Sequence, residues 1–350
     1  MNFKFILLSI FSLVSSIALA QGDLSPYLRN YTLPSLAIGV IQNDKVQIVA
    51  TGFKNAETLE PIHYQDTFHL GSQAKAMTAF LINQEVKAGR LTYETLVQSF
   101  YPFTLHPDFK NLKIKDLILH EGGISRGIPN AHLIVKNYPN DFTLQRYKVA
   151  EDLLTSQAAY QLGTSSNYSN AGYVILGSIL ERIHKRSVED IFSLGLFVPL
   201  KMASCNFGFG HSATGHYVDS KTNKLVPLKE DNFQLFASAG TIYCSLQDWG
   251  KFLSYQMKAI QKKEAYLWQA SKKNYTLGAM FLKQDAQGTK YFWHNGTNCI
   301  NYVDQVMIPS KNRIMMMATN RGGDEKITCD DKRLDELRDL FDKLFLELNK

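Results

Sequence analysis

Ser72 and Lys75 are the residues of this 350-residue sequence whose types and spacing most directly allow chemistry. They lie three positions apart in GSQAKAMTAF (71–80), where the surrounding apolar residues predict a buried helix that begins near Ser72. Residues three apart on a helix share a face, so the amine and the hydroxyl would be neighbours. Burial disfavours a charged ammonium, and a neutral lysine can act as the base that activates a serine nucleophile. Taken alone, Ser-x-x-Lys also fits a helix N-cap followed by a solvated lysine.

Two Tyr-x-Asn triplets could supply a proton-transfer partner for such a pair. The triplet at 138–140 contains a proline within a polar stretch and fits a turn. The triplet at 168–170, which holds Tyr168 and Asn170, ends a Gly- and Ser-rich segment that leads directly into an apolar helical pattern over 172–184. A loop delivered into a rigid helix is a typical place for a catalytic side chain, so the second triplet is the candidate.

A third candidate group follows a predicted strand, in WHNGT (293–297). His294 supplies an imidazole, and Gly296 would let another stretch of backbone approach the strand closely. A histidine at the end of a strand is by default structural or solvated. The three signals occur together in the order Ser72, Tyr168, His294, each in the setting that its chemistry requires, and this joint occurrence indicates a catalytic site.

The elements that must position these residues are predicted strands at both ends of the chain with helices between them. Runs rich in β-formers predict a hairpin over 36–50 and four antiparallel strands over 275–320, and the last twenty residues predict an amphipathic helix. The economical arrangement is an α/β lobe formed by about 21–90 and 235–350, with a mostly helical lobe of about 91–234 inserted in it. The predicted fold is therefore an antiparallel sheet flanked by helices.

Residues 1–20 have the features of an export signal. They combine one basic residue, Lys4, with an apolar run too short for a comfortable membrane span and with Ala-Leu-Ala before Gln21. We therefore expect cleavage after Ala20 and a periplasmic or secreted protein; an uncleaved anchor is the alternative. No later segment is long and apolar enough to cross a bilayer, so no stable membrane span is expected once the leader is removed.

Charge and cysteine content argue against several classes of function. Removing the leader takes away only Lys4, so the net charge falls from +6 to +5, and the basic residues form no stripe or motif that would bind nucleic acid. The cysteines lack Cys-x-x-Cys spacing and the histidines lack His-Glu-x-x-His spacing, so neither a metal nor a cofactor is expected. Four cysteines allow three pairings; a disulfide between Cys299 and Cys329 near the site is one hypothesis, and free buried thiols are the other.

The chain as a whole resembles the serine β-lactamase and penicillin-binding-protein superfamily, in particular its branch of class C β-lactamases, DD-carboxypeptidases and esterases. The resemblance covers nearly all of the mature sequence and implies a single domain of the β-lactamase/transpeptidase-like fold over 21–350. It rests on segments spread along the chain: TFHLGSQAKAMTA (67–79), LILHEGGISRG (117–127), GTSSNYSNAGYVILGSILERI (163–183), FVPLKM (197–202), ASAGTIYCSLQDWGKFL (237–253) and HNGTN (294–298).

This resemblance implies a role for each matching residue. Ser72 corresponds to the nucleophile that becomes acylated, and Lys75 to the lysine that takes or relays its proton. Tyr168 corresponds to the tyrosine that acts as general base in acylation and passes the proton to the leaving group, and Asn170 to the residue that orients the substrate's amide carbonyl. The backbone N–H groups of Ser72 and Thr297 would form the oxyanion hole.

The sequence departs from the family pattern at the segment expected to bind substrate. His294, Asn295 and Gly296 stand where β-lactamases typically carry Lys-Thr-Gly, so an imidazole replaces a fixed ammonium and Asn295 replaces a threonine that helps to bind a substrate carboxylate. Support for an ionised Tyr168 should then depend on pH. Together with HEGG (120–123) in place of His-Thr-Ser-Gly, these changes predict less efficient turnover of β-lactams.

The predicted function is an exported serine hydrolase that acts through an acyl-Ser72 intermediate on an amide, peptide, ester or β-lactam. Its expected partners are small-molecule or peptide substrates, including cell-wall peptides, and fold and motif do not fix the choice. The alternative is a non-catalytic penicillin-binding-type sensor or scaffold; degenerate members usually lose the nucleophile, lysine or tyrosine, and this chain retains all three.

Overall fold

An antiparallel sheet covered by helices organises the chain in the computed structural model, which describes residues 23–163, 167–208, 210, 212–229, 232–324 and 332–348. The expected leader at 1–20 and Cys329 lie outside these described residues. The strands are β1 (Ser35–Gln42), β2 (Lys45–Gly52), β3 (Thr67–His69), β4 (Asn206–Phe207), β5 (Gly215–Val218), β6 (Leu225–Leu228), β7 (Ile242–Ser245), β8 (Phe281–Gln284), β9 (Lys290–Thr297), β10 (Tyr302–Ile308), β11 (Arg313–Thr319) and β12 (Arg321–Asp324). The helices are α1 (Ser25–Asn30), α2 (Ala74–Lys87), α3 (Ile114–Ile118), α4 (Ala131–Asn137), α5 (Phe142–Thr155), α6 (Asn170–His184), α7 (Val188–Phe192), α8 (Ala237–Gly240), α9 (Leu246–Gln261), α10 (Ala265–Trp268) and α11 (Lys332–Leu348).

The central sheet has six strands in the order β2-β1-β11-β10-β9-β8, and every neighbouring pair is antiparallel. β1 and β2 form the expected hairpin, because Asn43 and Asp44 adopt the positive φ angles of 52° and 63° that a two-residue turn needs. β1 then pairs with β11, so that Ala37 faces Ala318 and strands from both ends of the chain share one sheet. The structure confirms the predicted mixed α/β class.

The two faces of this sheet contact different parts of the chain. Successive strand residues point to opposite faces, so neighbours in sequence enter different cores. Met317 packs with Leu337 and Leu340 of the C-terminal helix α11. Met316, the preceding residue, belongs instead to the main core, which includes α2, α6 and α9. The candidate active site lies on the side of the main core.

Helix α2 is buried on nearly all sides. A short 3₁₀ turn, Gly71–Gln73, leads into it, and the exposed fraction of each residue from Ala74 to Ile82 is at most 4%. Lys75 is 0% exposed within this apolar run. A helix that is apolar on all sides belongs in a protein interior, where a charged amine is strongly disfavoured. The surroundings of α2 therefore determine the chemistry of Lys75.

A buried ion pair anchors α6, the helix that follows Tyr168. Arg146 of α5 is 0% exposed and donates to Glu181 at 2.6 Å and to Glu189 at 2.9 Å. These carboxylates belong to α6 and α7, so one guanidinium joins three helices. Ser169 caps the start of α6 with its side-chain oxygen. Removing one partner would leave a buried charge without compensation, so the ion pair holds α6 in a fixed position.

The structure differs from the sequence prediction in two regions. The first of the four strands expected over 275–320 begins only at Phe281, because Ala279 adopts a φ of 56° that interrupts extended backbone. The region 91–234, expected to be mostly helical, also contributes β4, β5 and β6 to two small sheets with the orders β12-β5-β6 and β3-β7-β4. The short strands of these sheets are too brief to show a period in the sequence.

A disulfide joins Cys205 to Cys244, which lies in β7 opposite Phe68 of β3. The sequence left the pairing open, and the structure selects this one. Cys299 is also disulfide-bonded, whereas its expected partner, Cys329, lies outside the described residues, so that pairing stays a prediction.

Replacing Cys205 and Cys244 together by serine should lower the free energy of unfolding by about 3 kcal/mol, because the bridge constrains the unfolded chain over a sequence separation of 39 residues. Urea unfolding of the two proteins without reductant measures the difference. Addition of reductant should move the wild-type midpoint toward that of the variant. An unchanged midpoint in the double variant would contradict this role for the bridge.

Candidate active site

Ser72, Lys75 and Tyr168 come together at the start of α2. Lys75 Nζ lies 3.0 Å from Ser72 Oγ and donates to the carbonyl oxygen of Ala239 at 2.7 Å. The Ser72 side chain lies near enough to the Tyr168 phenol to lower its pKa, and Lys75 Nζ lies 4.9 Å from the centre of the Tyr168 ring. The Ser72 hydroxyl therefore lies close to both groups that could exchange a proton with it.

Burial sets the protonation of both partners of Ser72. Desolvation holds the pKa of the Lys75 amine well below its ordinary value. Desolvation also raises the pKa of the Tyr168 phenol, and the nearby Ser72 side chain and the charge of Arg126 offset this rise only in part. Burial therefore favours the neutral amine of Lys75 and the neutral phenol of Tyr168 beside Ser72. The amine has a lone pair that can accept a proton, and the phenol has a proton that it can donate.

The end of β9 lies directly against the turn that precedes Ser72. Gly71 has a φ of +50°, and a Cβ added there would lie 2.3 Å from the backbone nitrogen of Thr297. A Cβ added at Gly296 would lie 2.1 Å from the carbonyl oxygen of Leu70 and 3.0 Å from the backbone nitrogen of Ser72. Only residues without a side chain allow this approach. It brings the backbone nitrogens of Ser72 and Thr297 to one edge of the site.

Changing Gly296 to alanine should lower kcat/KM by about 100-fold, because the added methyl group would push β9 away from the turn and separate the two backbone N–H groups. Gly127→Ala is the matched control, since a Cβ at Gly127 meets no atom within 4 Å. Steady-state kinetics of both variants provide the measurement. Equal rates for the two variants would show that the close approach does not matter for catalysis.

His294 is buried and neutral. Its Nδ1 hydrogen-bonds the carbonyl oxygen of Asn295, which can only accept, so Nδ1 carries the proton and Nε2 accepts from the Tyr275 hydroxyl at 3.2 Å. Desolvation, assisted by the neighbouring Lys75, lowers the pKa of His294 to about 4. The positive charge that could have supported an ionised Tyr168 is therefore absent at neutral pH.

The Asn295 side chain points away from Ser72 and Lys75, and its expected part in substrate binding stays a prediction. Strand alternation turns it to the face covered by α11, where its amide nitrogen donates to the Tyr302 hydroxyl at 3.4 Å. Tyr302 in turn donates to Asp304 at 2.8 Å. The Thr297 hydroxyl is also engaged, because it donates to the carbonyl oxygen of Asn301 at 2.6 Å. The Thr297 side chain is therefore already hydrogen-bonded within its own segment.

Three further residues lie near Tyr168. Asn170 was expected from the sequence, whereas Arg126 and Tyr275 were not. Asn170 begins α6, and its backbone N–H donates to the carbonyl oxygen of Arg126 at 2.9 Å. Arg126, an exposed residue, places its positive charge close enough to lower the pKa of Tyr168. Tyr275 is buried in the irregular segment before β8 and hydrogen-bonds His294. Neither residue belongs to a periodic pattern, so only the tertiary structure reveals them.

Comparison with known proteins shows the family of the chain. The model of the beta-lactamase family matches residues 21–339 of the sequence. The chain belongs to the beta-lactamase family. The match confirms the resemblance seen in the sequence segments. A curated relative, the beta-lactamase of Providencia stuartii, is 22% identical to this beta-lactamase family member over 287 residues, which cover 80% of the chain and 71% of the relative.

Solved structures of other proteins share the fold of this beta-lactamase family member. The D-amino acid amidase of Ochrobactrum anthropi SV3, complexed with L-phenylalanine amide, gives a TM-score of 0.76 at 15% identity, with 94% of this chain and 97% of the amidase covered. The class C beta lactamase of Rhodobacter sphaeroides gives a TM-score of 0.73 at 17% identity, with 94% and 99% covered. At these identities the likeness is one of fold.

Two further findings concern metals and membranes. Over the described ranges of this beta-lactamase family member, no group of three or more His, Cys, Asp or Glu side chains is arranged to hold a metal ion. In that same part of the chain, none of the helices combines the length and apolar character that crossing a membrane requires.

Proposed function

We propose that this protein is an exported serine hydrolase that forms an acyl-Ser72 intermediate with an amide, peptide, ester or β-lactam. The observation that carries the proposal is the contact between the fully buried Lys75 amine, whose pKa burial holds well below its ordinary value, and the Ser72 hydroxyl, with 3.0 Å between Nζ and Oγ. A deprotonated amine at this distance can accept the hydroxyl proton as the oxygen attacks. The features of residues 1–20 support export to the periplasm or the medium.

Acylation begins when the Ser72 oxygen attacks the carbonyl carbon of the substrate and the Ser72 proton moves to Lys75. The new C–O bond converts the carbonyl oxygen into an oxyanion, which the N–H groups of Ser72 and Thr297 stabilise. Collapse of this intermediate breaks the bond to the leaving group, which takes the proton of the Tyr168 phenol. Lys75 then gives its extra proton to Tyr168, so both groups are neutral again in the acyl-enzyme.

Deacylation follows the same route with water as the nucleophile. Water transfers a proton to Lys75 as its oxygen attacks the acyl carbon, and the same two N–H groups stabilise the second oxyanion. Breakage of the ester bond releases Ser72, which regains its proton from Lys75. The products are a carboxylic acid and the starting enzyme.

This proposal gives the role of base to Lys75, whereas the resemblance implied Tyr168. A tyrosine accepts a proton only as the phenolate, and desolvation raises the pKa of Tyr168. The pKa of Lys75 is shifted in the opposite direction, toward the neutral amine that a base must be. Tyr168 keeps the other half of its expected role, which is to pass a proton to the leaving group.

The neutral His294 favours uncharged acyl donors, although Arg126 places a positive charge near Tyr168. Asn170 and the backbone of β9 are proposed to bind the substrate's amide and carbonyl groups. A neutral His294 supplies no charge to pair with a substrate carboxylate, which favours simple esters and amides over β-lactams. The names of the relatives point to both substrate classes: one is a beta-lactamase and another is a D-amino acid amidase.

Intact-mass spectrometry tests the proposal. The mature protein and its Ser72→Ala variant are exposed separately to a penicillin, a cephalosporin and a fluorophosphonate. A mass increase that the wild type shows and the variant lacks would support covalent chemistry at Ser72. If no probe gives a mass shift that depends on Ser72, and no β-lactam is consumed, the proposal is wrong and the non-catalytic sensor or scaffold replaces it.

The pattern of adducts in the same experiment distinguishes the substrate classes. A stable β-lactam adduct would indicate a penicillin-binding peptidase with slow deacylation. Rapid loss of β-lactam without an adduct would indicate a lactamase. Labelling by the fluorophosphonate alone would indicate an esterase or amidase, which is the outcome that the neutral His294 favours.

A further inference from the structure

His120 holds the backbone on both sides of Tyr168. Its carbonyl oxygen accepts the N–H of Asn167 at 2.9 Å, and its ring Nδ1 accepts the N–H of Ser169 at 3.0 Å. The His120 ring also lies against the Tyr168 ring, with 4.4 Å between their centroids. One residue therefore contacts the tyrosine itself, the residue before it and the residue after it.

The position of His120 is itself strongly determined. It lies just after α3 with a φ of 60°, in the left-handed region that residues other than glycine adopt uncommonly, although asparagine, aspartate and histidine are enriched there. It is only 4% exposed, and the rings of Tyr173 and Tyr275 lie 5.3 and 4.8 Å from its own. A strained conformation of this kind persists only where the surrounding contacts fix it, and such positions cluster at functional sites.

We propose that His120 is a positioning residue, which acts by holding the Tyr168 hydroxyl beside Ser72 for proton transfer to the leaving group. The inference rests on the proposed function, because it assumes the proton-donor role of Tyr168. A displacement of about 1 Å in a catalytic group can lower a rate by about 100-fold. The hydrogen bond to Ser169 is the main interaction through which His120 would prevent such a displacement.

The neutral form of His120 makes these interactions. Because Nδ1 accepts from Ser169, the ring proton lies on Nε2, which is buried and has no hydrogen-bond partner among the described residues. Burial, first of all, holds the pKa of His120 well below its ordinary value. Tyr168, Tyr173 and Tyr275 are titratable groups that face the ring, and all three have raised pKa values and are neutral. The ring's hydrogen bond to Ser169 therefore persists at neutral pH.

Three variants separate positioning from simple bracing of the loop. His120→Asn keeps an acceptor close to the position of Nδ1, and asparagine tolerates the left-handed backbone. His120→Gln moves the polar end of the side chain outward and leaves Ser169 without its acceptor. His120→Gly removes the acceptor without backbone strain, so a loss shared by the glutamine and glycine variants cannot arise from strain.

Hydrolysis of ethyl butyrate and p-nitrophenyl butyrate provides the readout. Ethoxide must be protonated as it leaves, whereas p-nitrophenolate leaves as a stable anion, so only the first ester needs Tyr168 as a donor. His120→Gln and His120→Gly should slow ethyl butyrate hydrolysis by about 100-fold and p-nitrophenyl butyrate hydrolysis by less than about tenfold. His120→Asn should stay within about fivefold of the wild type on both esters. Because His120 acts through Tyr168, adding His120→Gln to Tyr168→Phe should slow ethyl butyrate hydrolysis no further.

Three results would overturn the inference. If the variants lose equal rate on both esters in proportion to a lower melting temperature, His120 only stabilises the fold. Additive losses in the double variant would show that it acts independently of Tyr168, and in both cases the proposed function stands. If Tyr168→Phe itself treats the two esters alike, the proton-donor role fails and the positioning role fails with it.

Discussion

Replacing Lys75 by methionine is expected to slow acylation of Ser72 by about 10⁴-fold, because it removes the proposed base while leaving the nucleophile in place. The same change should raise the free energy of unfolding, since methionine fills a similar volume and has no amine to desolvate in a fully buried position. The rate of labelling by a fluorophosphonate, followed by intact mass, measures the first effect. Urea unfolding measures the second.

The stability gain in Lys75→Met should depend on pH. The unfolded chain binds a proton at Lys75 at the ordinary lysine pKa, whereas the folded protein binds it only at lower pH. Between these two pKa values the unfolded state holds the extra proton, so the wild-type protein loses up to about 1.4 kcal/mol of stability for each unit that the pH falls. The advantage of Lys75→Met should therefore be largest at low pH and shrink as the pH approaches the ordinary lysine pKa. Wild-type activity should fall as the pH drops through the lowered pKa.

Lys87→Met, at the other end of α2, is the matched control. Lys87 is 48% exposed and pairs with Glu264 at 2.8 Å, so its loss should change stability by less than about 1 kcal/mol. Its acylation rate should equal that of the wild type. A Lys75→Met protein that is acylated at the wild-type rate would eliminate Lys75 as the base, and one that is less stable at low pH would contradict the neutral buried amine.

Tyr168→Phe should slow hydrolysis of an alkyl ester far more than hydrolysis of an activated ester of the same acid. Loss of a general acid costs about 10³-fold when the leaving group must be protonated, so ethyl butyrate should show the full effect. With p-nitrophenyl butyrate we expect less than about a tenfold loss. A loss of this size is what the changed interaction between residue 168 and Ser72 would cause by itself. Steady-state rates of both esters provide the measurement.

Asn170→Asp is a useful companion to Tyr168→Phe, because it changes a proposed substrate contact beside the tyrosine without removing the phenol. Its effect should be similar on the two esters, since carbonyl binding does not depend on the leaving group. If Tyr168→Phe also lowers both rates equally, Tyr168 would have to act before the leaving group departs. The base role implied by the sequence resemblance would then be restored.

The sequence was sufficient for those parts of the fold that depend on local patterns. Asn43 and Asp44 predicted a hairpin, and the turn uses the positive φ angles that these residue types tolerate. The apolar run after Ser72 predicted a buried helix, and α2 is buried on nearly all sides. The Cys205 to Cys244 bridge could not be chosen in this way, because four cysteines admit three pairings and the two residues meet only through the tertiary fold.

The candidate site was predictable only where the chemistry of a residue is visible in its own segment. Ser72, Lys75 and Tyr168 each occur in a segment with a recognisable helix start or loop, and the structure brings them into contact. The orientation of Asn295 was not visible in its segment, because strand alternation sends its side chain to the face opposite His294. Tyr275 follows no periodic pattern, so its hydrogen bond to His294 had no local signal.

The pairing of β1 with β11 also affects the stage of folding at which the site can form. Ala37 pairs with Ala318, so the sheet that carries β9 closes only after most of the chain has been synthesised. Such distant pairings carry a loop-closure cost and fold slowly. A chain threaded N-terminus first through a narrow pore would hold Ser72 and Lys75 without the Thr297 backbone beside them. The nucleophile would therefore stay unassembled during transit, and its reactivity would appear only where the whole chain has been released.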